Sequence, residues 1–189
     1  MKTTLKKCIA AIILAVSTVS GLYAQDYISP TTPAQTGKSP GVKVKLLSEN
    51  GQTKNYVVIF ATGDEVVSGL TEFAQKYNVK SAHYTAIGDA NSAKVGWYDK
   101  RRKMFKVIPL PEPSEVSSLI GDIAVFNGKP VAHTHVNVAT EDGISHGGHL
   151  LELFVGPTLE LFVTVEPTPL FKKLNTEFNA GTIDPILDK

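Results

Sequence analysis

The chain has 189 residues, 42% of them hydrophobic and 20% charged, a balance that suits one packed domain and excludes an extended disordered polymer. Nineteen Lys and Arg against eighteen Asp and Glu leave a formal charge of +1, without the strongly basic excess that draws a protein to nucleic acid or an anionic membrane. A single Cys excludes an intrachain disulfide framework and a Cys-rich metal knuckle.

Residues 1–24 have the form of a secretory signal peptide. Lys2, Lys6 and Lys7 make a positive start, Cys8 to Val19 is an apolar run, and Ala24 offers a small residue at a cleavage position before Gln25. The run is shorter than the roughly 20 apolar residues that span a bilayer, so no stable membrane insertion is expected after cleavage. The mature chain then begins at Gln25, in the periplasm or outside the cell. Losing three lysines takes its formal charge from +1 to −2. Residues 25–41, with Pro30, Pro33, Pro40, Gly37 and Gly41, are predicted to form a flexible tether, because they hold too little apolar surface to order themselves.

A single domain is expected over residues 42–179. Alternating and β-branched runs predict strands at Val42–Leu47, Tyr56–Ala61, Ser81–Gly88, Ala93–Tyr98, Met104–Leu110, Val116–Phe126, Pro130–Ala139, His149–Val155 and Leu159–Val165. Between the second and third, Val66, Leu70, Phe73 and Tyr77 recur at i, i+4, i+7 and i+11, the apolar face of a helix that Asp64 would cap and Asn78 would end. Asp99–Lys103 reads as a charged hairpin tip and Asn127-Gly128-Lys129-Pro130 as a tight hairpin turn. Trp97 and Tyr98 are assigned to the core or to a subunit contact. A short second helix is predicted near Leu170–Phe178, and residues 180–189 are read as a tail draped on the surface. One main helix against many hairpin-linked strands gives an α+β class with a mainly antiparallel sheet.

Four of the five histidines, His133, His135, His146 and His149, fall between residues 133 and 149. His133 and His135 alternate along a strand, so its period of two sends both imidazoles to one face. Gly147-Gly148 permits a close backbone approach before His149 opens the next strand. Three imidazoles suit a divalent ion, Zn²⁺ first among them, and leave a fourth position open for water or a small ligand; Cu, Ni, Co and Fe(II) share this preference. His146, in a polar loop, and His83, on a separate strand, are reserve ligands. No phosphate loop, nucleotide fingerprint or nucleophile elbow is present, and no carboxylate is placed by spacing to act as a base; Glu152 should face away from His149. Catalytic residues are therefore unassigned. Gly63-Asp64-Glu65 is read as helix-start chemistry, and Lys100-Arg101-Arg102-Lys103 as a solvated tip.

Gly63-Asp64-Glu65, Ala86-Ile87-Gly88, Val95-Gly96-Trp97-Tyr98-Asp99, Leu119-Ile120-Gly121, His133-Thr134-His135 and Gly147-Gly148-His149-Leu150, in that order, resemble the PPC (plants and prokaryotes conserved) domain over roughly Val57–Val165. The His-x-His strand and the Gly-Gly-His-Leu segment are most like its bacterial branch. The resemblance implies an α+β domain that associates as a homotrimer and whose His cluster can hold a metal. In plants this domain is joined to AT-hook motifs in nuclear DNA-binding proteins. This chain has no Arg-Gly-Arg-Pro segment to enter a minor groove and an acidic expected mature form, so DNA is not expected as a partner.

Overall fold

The computed structural model describes residues 25–188. The predicted signal peptide, residues 1–24, lies outside the described residues. Among the described residues no helix is long and apolar enough to cross a membrane.

Among the described residues, ten strands and one helix follow in chain order: β1 (Tyr27–Ile28), β2 (Lys43–Asn50), β3 (Thr53–Ala61), α1 (Val66–Lys76), β4 (Ser81–Asp99), β5 (Met104–Leu110), β6 (Ser114–Phe126), β7 (Lys129–Ala139), β8 (Ser145–Val165), β9 (Lys172–Asn175) and β10 (Ala180–Ile183). Eight of them make an antiparallel sheet in the order β1-β5-β4-β6-β7-β8-β3-β2, and an added β4–β8 ladder closes β4, β6, β7 and β8 into a ring. Strands β9 and β10 form a separate ribbon. The fold is thus mostly antiparallel β with one small helix, as the α+β assignment requires.

The core follows from the alternation. Val58, Phe60, Tyr84, Leu119, Ile123, Val136, Leu153, Leu161 and Val163 point inward from five strands. They meet Val66, Leu70 and Phe73 from the apolar stripe of α1. The fourth stripe residue, Tyr77, is 37% exposed and packs instead on Tyr56 and Phe73 at the rim. The helix is capped by Glu65, not Asp64: its carboxylate accepts from Val67 and Ser68 N–H, and also from Leu153 N–H on β8. Asp64 instead accepts from the backbone of Ala61 and Gly41. The helix-start reading thus holds for Glu65, which takes two of the orphan N–H groups of α1, whereas Asp64 ties the end of β3 to the segment before β2.

Several boundaries differ from the sequence-based expectation. Ser81–Gly88 and Ala93–Tyr98 are one strand, as are His149–Val155 and Leu159–Val165, because register shifts carry pairing through the intervening residues. Residues 25–41 are docked rather than a free tether. Tyr27 and Ile28 pair with β5, Glu65 N–H donates to Lys38 carbonyl, and Ser39 is buried with its hydroxyl donating to the Glu65 carbonyl. The predicted helix near Leu170–Phe178 is strand β9 and a turn, and the supposed tail supplies β10, which pairs with it. Leu170, Phe171, Leu174 and Phe178 mimic helical spacing, but the backbone of this segment is drawn out by bonds to Lys80 and Val125.

Candidate metal centre

Asn127 and Gly128 both take positive φ, 50° and 76°, in the two-residue turn between β6 and β7. That turn fixes the β6–β7 register, in which Asp122 lies opposite His133 and Ile120 opposite His135. Thr134, Val136 and Val138 point into the core, so His133 and His135 stand together on the outer face. Behind them Tyr84 Oη and Thr134 Oγ1 share a 2.6 Å hydrogen bond in the buried layer, and burial pushes the Tyr84 hydroxyl up from its ordinary range. Gly121 makes this possible, since a Cβ there would overlap the His133 carbonyl and the Tyr84 hydroxyl.

The third imidazole arrives by β-pairing. His149 on β8 lies opposite His135 on β7. The double glycine before it permits the approach, because a Cβ on Gly148 would sit 2.8 Å from the Gly96 carbonyl oxygen of β4. His133, His135 and His149 each offer one nitrogen, and these atoms lie within 4.8 Å of one another. Ring centroids are 5.2 Å apart for His133–His135, 5.2 Å for His133–His149 and 5.7 Å for His135–His149. Zn–N bonds of about 2.0–2.1 Å place tetrahedral nitrogens about 3.4 Å apart, a distance small ring rotations reach.

The reserve histidines do not join them. His83 is exposed on β4, 3.7 Å from Glu166, and His146 lies beside Glu112, Thr140, Glu141 and Asp142 at the far end of the β7–β8 hairpin. Glu152 forms a 2.8 Å ion pair with Lys94, away from the cluster. Trp97 is 61% exposed and so is not a core residue. The basic tip is solvated, with Arg102 held by Asp99 at 3.0 Å and over the Tyr27 ring at 4.8 Å.

Three residues that spacing did not reveal surround the cluster. Phe105 of β5 stacks on His149, centroids 4.3 Å apart and planes within 5°. Asp122 Oδ2 lies 3.5 Å from His133 Nδ1, which leaves Nε2 of that ring to coordinate. Lys172, 7% exposed, places Nζ 3.0 Å from the other Asp122 oxygen. Burial pushes the Asp122 carboxyl up, but His133 and the Lys172 ammonium outweigh it and hold the group below its ordinary range.

The donor set fits a divalent cation. Burial, reinforced by His133 and His135, pushes His149 down to about 3, and burial with the charge of His133 lowers His135 as well. Both rings are therefore neutral at physiological pH, the form that coordinates. His149 Nδ1 is buried with no hydrogen-bond partner among the described residues. An orphaned buried nitrogen is costly by about 1–3 kcal/mol, and a bound cation is a partner that would satisfy it.

Residues 47–166 match the Plants and Prokaryotes Conserved (PCC) domain. A solved structure from Ralstonia eutropha JMP134, whose name assigns DNA binding only provisionally, is 31% identical with a TM-score of 0.66, covering 74% of this chain and 95% of that one. A plant- and prokaryote-conserved protein from Pyrococcus horikoshii is 29% identical with a TM-score of 0.65, over 77% and 97% of the two chains. A metal-containing protein from Archaeoglobus fulgidus is 28% identical with a TM-score of 0.64, over 69% and 92%. No curated protein matches the sequence. The family match spans more than half of the chain and takes in the helix, the ring of strands and all three clustered histidines, so the chain belongs to the Plants and Prokaryotes Conserved domain family.

Proposed function

We propose that this is an exported member of the family whose His133, His135 and His149 hold a divalent ion, Zn²⁺ in the first instance, with a coordination position left for a small ligand. The observation that carries the reading is the convergence of three imidazole nitrogens within 4.8 Å, one ring of which has a buried, unpartnered Nδ1. The Archaeoglobus relative, called metal-containing, supports the same chemistry. Asp122 orients His133 and Phe105 fixes the plane of His149, so two of the three rings are positioned before any ion arrives. When bound, the ion would supply a Lewis-acidic point for an anionic ligand group.

The alternative, a non-catalytic trimeric binding module with the DNA-binding role of the family's plant members, draws support from the name of the Ralstonia relative. Two features of this chain weigh against it. Arg102 is engaged by Asp99 and Tyr27 and Lys103 donates to the Thr176 carbonyl, so half of the four-residue basic tip already has internal partners. The expected mature charge of −2 also provides few counterion-releasing contacts. Sub-micromolar duplex binding in a gel shift at physiological salt would favour the DNA reading.

Elemental analysis of the purified mature protein tests the metal reading directly. One equivalent of metal per chain is expected, and His135→Ala should reduce it to near zero while leaving the circular dichroism spectrum unchanged, because the ligands stand on a sheet held by apolar packing. A His135→Ala variant that retains one equivalent overturns the assignment.

A further inference from the structure

The family match ends at residue 166, yet the chain continues through residues that reach the His cluster from two sides. Leu170 N–H donates to the Lys80 carbonyl, Val125 N–H donates to the Leu170 carbonyl, and Phe171 bridges Val125. This anchoring sets Lys172 facing inward. Its side chain is only 4% exposed, and its ammonium lies 3.0 Å from Asp122 Oδ1, while Asp122 Oδ2 faces His133 Nδ1 at 3.5 Å. Beyond β9, Lys103 Nζ donates to the Thr176 carbonyl and Tyr98 Oη to the Phe178 carbonyl. The Tyr98 ring packs edge-on against Phe105, the residue stacked on His149.

We propose that residues 170–178 form a strap, outside the family domain, that completes the outer layer of the His centre, with Lys172 as a positioning residue that locks the Asp122 carboxylate and through it the ring of His133. The inference rests on the reading of the cluster as a metal site. A buried lysine is rare and its desolvation is costly, and an apolar residue of similar volume holds a segment in place as well or better. Phe171, the neighbouring residue, already anchors the segment through its backbone bridge to Val125. What Lys172 adds is a fixed charge on the carboxylate that faces a ligand ring, that of Asp122 beside His133.

The test is Zn²⁺ affinity of the full mature chain, measured by competition with a chromophoric chelator, together with the visible spectrum of the Co²⁺ form. Lys172→Met is expected to weaken Zn²⁺ binding about tenfold, the low end of what outer-shell partners contribute, and to shift the Co²⁺ bands. In an Asp122→Asn background the same substitution should change affinity by less than about twofold, because its route to the ring is gone. Lys172→Gln, which keeps polarity at the buried position, is measured alongside in case the Met variant folds poorly. Wild-type protein that binds neither ion overturns the metal reading and this inference with it. Wild-type protein that binds both, with Lys172 variants of unchanged affinity and spectrum or with fully additive effects of Lys172→Met and Asp122→Asn, overturns this inference alone.

Discussion

At the scale of single residues, His149 differs from its two partners in environment more than in sequence context. Its ring lies flat against Phe105 with a buried, unpaired Nδ1, whereas His133 and His135 stand on the exposed side of β7. With a native value of about 3 against about 6.5 in the unfolded chain, the unfolded state binds the extra proton throughout that interval. Stability of the metal-free protein should therefore be flat in this contribution above about pH 6.5. It should fall as the pH drops toward 3, with a slope approaching 1.4 kcal/mol per pH unit. Denaturant titrations of the metal-free protein between pH 7 and 4 check this, and His149→Gln should flatten the slope; an unchanged slope in that variant would place the acid sensitivity elsewhere. The three histidines were legible because strand alternation and a double glycine leave a mark in one dimension. Asp122, Phe105 and Lys172 were not, since they reach the rings through cross-strand register and through a segment far downstream.

At the scale of elements, the approach of β8 to β4 decides where His149 goes. A methyl group on Gly148 would meet a main-chain oxygen at 2.8 Å, and neither backbone can swing aside as a flexible side chain would. Gly148→Ala should cost about 1–3 kcal/mol of folding stability and lower metal occupancy together, because the same displacement moves His149 off the cluster. Thermal melts with elemental analysis check both, and a variant stable and fully loaded would show that the strands do not need this contact. Local patterns predicted the helix, the Asn127-Gly128 turn and most strand positions. They divided β4 and β8 because Asp89–Ser92 and Gly156–Thr158 look like loops; pairing persists there, with Asn91 Nδ2 donating to the Val155 carbonyl and Gly63 N–H doing the same. Glu65 displaced Asp64 as the cap for a comparable reason. Its carboxylate also serves Leu153 on a distant strand, a demand no helical pattern contains.

At the scale of the whole molecule, one side of the sheet carries apolar residues that α1 does not cover. Ile120 is 57% exposed, Phe162 52% and Ile87 62%; Ile120 and Phe162 both lie opposite Thr85, and Ile120 also lies opposite His135. A surface of this kind beside the site favours self-association. The proposed homotrimer should appear in light scattering at three times the chain mass, and Ile120→Asp should shift it toward monomer; a monomer across micromolar concentrations in the unsubstituted protein would remove the proposal. For the proposed export, N-terminal sequencing of the native protein should begin at Gln25, and an intact Met1 on a cytosolic species would exclude it.

The two outermost strands of the eight-stranded sheet bear on what kind of association is open to this molecule. β1 is only two residues long, and β2 carries Lys43 and Lys45 with a register shift between Leu46 and Ser48. A very short border strand gives an incoming chain almost no ladder to extend, while lysines and a bulge place charge and a local twist where a flat backbone template would otherwise lie. Strand-by-strand growth is thereby blocked at both margins. The side chains of the broad face are left as the surface through which the proposed trimer would close, and a sheet this large is guarded against fibrillar stacking.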